Sequence, residues 1–306
     1  MGGGGSDHEV HPTGAGAAIR RDAERRARPG HYRRTGRRRW QHLDQCPAHR
    51  AVIECGSMTD TAYLGRADLA DLLGAVRRSV ARLTATLDKL NDTAAREPSA
   101  LPGWSRGHVL THLASSADVY RWLLTLARTG VEPGPRADGP ALERALRDGA
   151  GRDAAELVAD VLDGMGRMLD EAESMAAERW PTMVTALAGW RHPAWFVLHR
   201  ARRELETHHV DLSLGYTAAD WPEDYVGWAL DATVATLRAR DFPVSRIEAT
   251  DLDRIWTLAP TGPGVSGAGH ALLAWLAGRD TSGPLQAGHP LPTPPNWPLP
   301  PSPGWS

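Results

Sequence analysis

The 306-residue sequence predicts a mainly α protein: a four-helix bundle over residues 58–219, followed by a small α+β domain over residues 220–290. Three observations carry that expectation. Apolar residues recur every three or four positions through four long stretches. Capping or helix-breaking residues bound each stretch. After Trp221-Pro222 the pattern changes to short strand-like runs separated by Gly and Pro.

In the first stretch Leu69, Leu72, Leu73, Val76, Val80, Leu83, Leu87 and Leu90 fall on one stripe, and Leu101-Pro102-Gly103-Trp104 ends it. Ser105 suits the N-cap of a second helix, which carries Val109, Leu113, Ser116, Tyr120, Leu124 and Ala127 on one face and stops at Gly130. The third begins near Asp153 and turns Leu157, Val161, Met165, Met168, Leu169 and Met175 inward. The fourth is predicted from Pro193, a residue tolerated in a first turn, through Val197, Ala201, Leu205 and Leu212 to Gly215. Long connections follow the second and third helices, so simple up-down-up-down order is not required. Beyond Pro222 the pattern gives a helix near Asp224–Arg240, strands at Arg246–Ala249 and Arg254–Leu258, a Gly- and Pro-rich stretch from Pro260 to Gly269, and a helix near His270–Gly278. Residues 291–306 read as an extended Pro-rich tail.

Residues 1–57 differ from all of this. They open with Gly2 to Gly5 and hold 11 Arg against 6 acids, a net charge of +5 that leaves −7 for the rest of the chain. With no apolar periodicity they read as a disordered basic arm. Met58 opens the patterned segment, so the arm also reads as upstream sequence that is not translated.

Composition narrows the function. At 42% hydrophobic and 24% charged the chain is ordinarily globular, and a net charge of −2 offers no overall field for nucleic acid or an anionic membrane. No apolar run approaches the ~18 residues of a membrane span, and no signal-peptide pattern opens the chain, which predicts a cytoplasmic protein. The two cysteines, Cys46 and Cys55, both lie in the arm. The body therefore has neither a disulfide framework nor a cysteine zinc site, and any sulfur chemistry there needs a thiol from outside. Lys89 is the sole lysine and sits in a charged helical pattern, a poor Schiff-base candidate.

Bundle cores can gather metal ligands from facing helices. On the fourth helix Glu204 and His208 are one turn apart and look the same way at the edge of the apolar stripe, while Glu206 points to the far side. On the second helix His112 flanks the stripe and His108 is turned further out. His112, Glu204 and His208 would make a three-donor site with an open position for water or substrate, suited first to zinc, and also to nickel or iron. A Glu and a His at that spacing equally form a surface pair, and His112 equally reads as a hydrogen-bonded core-edge histidine.

The stretches Leu101-Pro-Gly-Trp-Ser-Arg-Gly-His-Val-Leu-Thr-His112 and Arg203-Glu204-Leu-Glu-Thr-His208-His-Val-Asp-Leu-Ser-Leu-Gly-Tyr216 resemble the mycothiol-dependent maleylpyruvate isomerase family, within the wider DinB-like bundle metalloenzymes. The resemblance extends from about Met58 to Pro298 and includes Gly269-His-Ala-Leu-Leu-Ala-Trp-Leu-Ala-Gly-Arg279. It implies that His112, Glu204 and His208 hold a divalent metal, zinc first, with mycothiol as thiol cosubstrate. It further implies that Arg279 is catalytic and cofactor-binding and that Arg144 is a second substrate-side arginine, although spacing alone makes Arg279 a helix-end cation. The implied reaction is cis-trans isomerisation of maleylpyruvate to fumarylpyruvate, with a thiolate adding to and leaving an unsaturated dicarboxylate. The alternatives are mycothiol S-transfer to another electrophile and a non-catalytic metal- or thiol-binding module. His108 and His209 are candidates for moving a proton, and Asp211 reads either as orienting a ligand histidine or as a helix-end residue. The expected partners are a small molecule and a low-molecular-weight thiol, with no membrane or nucleic acid, in a monomer or weak dimer.

Overall fold

The computed structural model describes residues 66–294, except the side chains of Arg66 and Ala67, so the expected arm at 1–57 and most of the tail lie outside the described residues. Eight α-helices run in the order α1 (Arg66–Leu87), α2 (Asp92–Arg96), α3 (Arg106–Thr129), α4 (Gly139–Gly149), α5 (Ala154–Glu173), α6 (Phe196–Asp211), α7 (Glu223–Arg238) and α8 (Gly269–Leu276). The four long helices α1, α3, α5 and α6 build the expected bundle. Val76 and Leu83 of α1, Val109 and Leu113 of α3, Leu157 and Met165 of α5, and Val197 and Leu205 of α6 all enter one apolar cluster.

Local chemistry sets the start and end of α3. The His108 backbone N–H donates to Ser105 Oγ at 3.4 Å, while the Ser105 N–H donates to His108 Nδ1 at 3.1 Å, a reciprocal cap on two otherwise unpaired donors. Gly130 closes the helix in a left-handed conformation, φ +75°. Just inside the first turn, a Cβ on Gly107 would lie 2.1 Å from the Ala150 carbonyl oxygen, so only glycine lets α3 pack this closely on the residue that follows α4.

The structure departs from the sequence expectation in several elements, among them α2, which stands apart from α1. Pro193 does not open the fourth helix. It ends strand β2 (Arg191–Pro193), which pairs antiparallel with β1 (Met183–Thr185), and α6 starts at Phe196 and ends at Asp211, short of Gly215. Proline lacks an N–H, so the end of a strand suits it as well as a helical first turn does. The long connection after α3 contains α4, capped by Asp138 Oδ1 accepting from the Ala141 N–H at 2.8 Å, with Pro140 in its first turn. The Gly- and Pro-rich stretch contains β5 (Gly264–Gly267).

The strands beyond the bundle, β3 (Arg246–Ala249), β4 (Arg254–Thr257), β5 and β6 (Gln286–Ala287), form a sheet in the order β4-β3-β5-β6. β3 is antiparallel to β4 and parallel to β5, with Ile247 opposite both Trp256 and Val265. These residues join Trp221, Tyr225 and Leu230 of the α7 region and Leu272 and Leu276 of α8 in a second apolar cluster. No described helix is long and apolar enough to cross a membrane.

Candidate functional site

Helices α3 and α6 lie against each other, and their facing edges bring the three expected donors together. His112 Nε2 lies 3.0 Å and His208 Nε2 3.2 Å from the same oxygen, Glu204 Oε2. The two imidazole rings meet edge to face with centroids 4.7 Å apart. The donor atoms of all three residues lie within 4.8 Å of one another. Tyr120, two turns beyond His112 on α3, donates its hydroxyl to the other carboxylate oxygen, Glu204 Oε1, at 3.0 Å. Both oxygens of Glu204 are therefore directed.

A further set of contacts orients His208. Its Nδ1 lies 2.8 Å from Asp211 Oδ2, so Nδ1 carries the proton and Nε2 faces the cluster. Asp211 is fully buried and is gripped by Arg279 through Nε to Oδ1 at 3.1 Å and Nη2 to Oδ2 at 2.8 Å. Arg279 follows α8, so the end of that helix also reaches the bundle, at this carboxylate.

Electrostatics follow the contacts. Burial alone would raise the Glu204 carboxyl, but its hydrogen bonds and charge interactions with His112 and His208 hold it well below the usual carboxylate range. Burial opposes protonation of His208, yet Asp211 and Glu204 together push it up to about 9. Asp211 is likewise depressed against its burial by His208 and Arg279. The cluster is thus built to hold positive charge between its donors. With metal–ligand bonds near 2.0–2.1 Å, a tetrahedral zinc site has donor–donor edges of about 3.3 Å. The 3.0 and 3.2 Å separations to Glu204 are close to that value, so two imidazoles and a carboxylate fit zinc in donor type and spacing.

Two of the donors, His112 and Glu204, line a cavity of about 460 Å³ together with Trp104, Tyr120, Arg200 and, from α4, Leu142. Arg144, expected on the substrate side, is exposed on α4 and is not among the residues lining this cavity, although Glu143 beside it is. Arg279 is committed to Asp211. His108 is committed to the α3 cap, and His209 is buried on the opposite flank of α6, its Nε2 2.7 Å from Thr86 Oγ1. The sequence reading missed Arg200 as a site residue and Tyr120 as more than a core residue. The signal was present: positions 200, 204 and 208 step by four along α6, and 112, 116 and 120 do the same along α3.

Residues 76–213 match the family model described as the mycothiol maleylpyruvate isomerase N-terminal domain. The match spans most of the bundle and makes it similar to that domain. Two crystal structures share the fold, that of the mycothiol-dependent maleylpyruvate isomerase and that of a histidine-to-alanine mutant of it. Each has a TM-score of 0.68 and 22% identity, over 75% of this chain and 97% of the other. A search of curated proteins gives no match. The chain is thus similar to the maleylpyruvate isomerase N-terminal domain in its bundle and to the maleylpyruvate isomerase structures in its fold.

Proposed function

We propose that this protein is a mycothiol-dependent cis-trans isomerase acting on maleylpyruvate or a closely related unsaturated dicarboxylate, with His112, Glu204 and His208 holding a divalent ion, zinc first. The observation that carries this reading is the convergence of those three donors, two of which, His112 and Glu204, line a cavity of about 460 Å³. The absence of cysteine beyond residue 55 supports it, because the thiol then has to come from a cosubstrate. A divalent ion there would supply Lewis acidity, bringing a thiol with a pKa near 8.5 to its nucleophilic thiolate form at neutral pH.

The chain's own residues do the positioning. Asp211, braced by Arg279, fixes the His208 ring with Nε2 inward, and Tyr120 fixes the plane of the Glu204 carboxylate. Leu142 and Leu146 of α4 give the cavity an apolar wall that limits water. In the reaction the thiolate adds to the cis double bond and the electron pair moves onto the neighbouring carbonyl as an enolate. The former double bond rotates, and loss of the thiolate returns the trans isomer. The thiol is regenerated. The same reading divides the chain near residue 219 into a metal-binding bundle and a small domain that braces it, working in the cytoplasm on small molecules as a monomer or weak dimer.

The test is to incubate zinc-loaded protein with mycothiol and maleylpyruvate and follow both by NMR. Fumarylpyruvate formed with no net loss of thiol is the expected result. A stable thioether with thiol consumed makes the protein an S-transferase instead. Turnover that survives in both His112→Ala and Glu204→Ala overturns the site.

A further inference from the structure

We propose that Arg200 is the specificity-determining residue of the cavity, reading a carboxylate of the ligand through its guanidinium fork. This rests on the reading of the cavity as a substrate site. Arg200 sits on α6 one turn before Glu204 and lines the cavity with His112, Tyr120 and Glu204.

What distinguishes Arg200 is that its charge is held entirely by neutral groups. Its guanidinium carbon lies 4.9 Å from the Tyr120 ring centroid and 4.9 Å from that of Trp190. Its Nη1 donates to His192 Nε2 at 3.1 Å. The tautomer of that imidazole is fixed, because Nδ1 lies 2.8 Å from the Pro193 carbonyl oxygen, which can only accept. Burial pushes His192 down to about 4, so at neutral pH it contributes a lone pair and no charge.

Other arginines near α6 are neutralised: Arg82 by Glu206, Arg202 by Asp224, Arg279 by Asp211. No acidic group pairs with Arg200 among the described residues. Of the two carboxylates lining the cavity, Glu204 is committed to His112, His208 and Tyr120, and Glu143 is exposed on α4.

A second guanidinium lies close enough to act on the charge of Arg200. Arg136 donates from Nη1 to the Thr185 carbonyl at 2.7 Å, while its Nε and Nη2 are shut off from solvent without a partner. Burial and then the charge of Arg200 lower its pKa. Arg200 is thus the guanidinium on the cavity wall without a paired carboxylate, and a planar anion would complete it. Arginine's fixed fork matches a carboxylate bidentately. The two flanking rings and His192 hold the guanidinium in place, so little is lost in ordering it on binding.

The probe is succinate, with its uncharged diamide as comparison, titrated calorimetrically into zinc-loaded protein without thiol. The intact chain should bind the diacid and not the diamide. Arg200→Gln should weaken succinate about 10- to 100-fold, the loss expected for one charge-assisted recognition contact, with zinc content unchanged. Arg200→Lys should fall between the two, and Arg147→Gln, on the exposed side of α4, should bind as the parent does. If Arg200→Gln fails to fold, the lysine variant decides. A lysine variant that binds succinate as tightly as the parent overturns the proposal, as does a parent that takes the diamide as well as the diacid or binds neither. Failure of the isomerase reading would show separately, as maleylpyruvate left unconverted while the succinate series keeps its dependence on Arg200.

Discussion

The two flanks of α6 carry the same chemical groups in two different states. Facing α3, Glu204 receives two imidazoles and the Tyr120 hydroxyl beside an open cavity. Facing α1, Glu206 receives the Tyr216 hydroxyl at 2.6 Å, together with Ser79 and the ion-paired guanidinium of Arg82. It is only 1% exposed, and His209 stacks flat on Tyr216 with centroids 3.7 Å apart. Each flank thus has a glutamate, a histidine and a tyrosine. Where the partner helix supplies arginine, the carboxylate is neutralised within the protein and the site is closed. Where it supplies histidine, the positive charge is left to a proton or an ion, and the site stays accessible. Charge balance on the neighbouring helix, more than the residue types on α6, separates a closed cluster from an open one.

The sharpest way to break this contrast is to remove each carboxylate in turn. Glu204→Gln should abolish stoichiometric zinc in elemental analysis with little change in Tm. Glu206→Gln should keep its zinc and lose about 1–2 kcal/mol of stability in denaturant titrations, because a buried carboxylate gives up its bonds to Tyr216, Ser79 and the half-buried Arg82. A Glu206 variant that loses metal, or a Glu204 variant that loses stability instead, would erase the distinction.

A smaller effect should come from the residues behind the donors. Asp211→Asn keeps the shape but weakens the orienting bond to His208, and zinc affinity measured against a competing chelator should fall about 10- to 100-fold. Arg279→Gln should move affinity in the same direction by less, since it acts through Asp211. Unchanged affinity in both would reduce this bracing to packing.

A separate effect is on acid stability, and it comes from imidazoles that hold no charge. Burial lowers His192 to about 4, and burial followed by the charges of Arg203 and Arg202 lowers His199 to about 3. The unfolded chain protonates both near 6.5, so between pH 6.5 and those lower values it binds more protons than the native state. Their contribution to stability is complete above pH 6.5 and is lost as pH falls towards 4 and then 3. Denaturation midpoints should therefore drop over that range, and His192→Gln should flatten the slope by up to one proton. An equally steep slope in the variant would assign the acid sensitivity to other groups.

The bundle was readable because its apolar stripes are long and its caps are local: Ser105 and Gly130 mark the ends of α3 in sequence and in space. The donor trio was readable on α6, where a four-residue step forces Glu204 and His208 onto one face. Elements whose conformation is imposed by a neighbour were not. β5 has a single large apolar residue, Val265, and is a strand because β3 lies beside it. The far-side direction of Glu206 was correct, but its burial depends on Ser79 and Arg82, more than 120 positions away. Arg279 was assigned to the reaction by resemblance and to a helix end by spacing. Its partner Asp211, 68 positions away, shows up only once the chain is folded.

That long-range clasp has a practical corollary. The segment 76–213 holds every donor and Asp211 itself, yet stops well short of Arg279. Excising the four helices, or grafting them into another scaffold, would strand a carboxylate in a dry interior with one imidazole left to answer it. The donor cluster is not portable on its own: whoever transplants it must bring along the distant hand that steadies it.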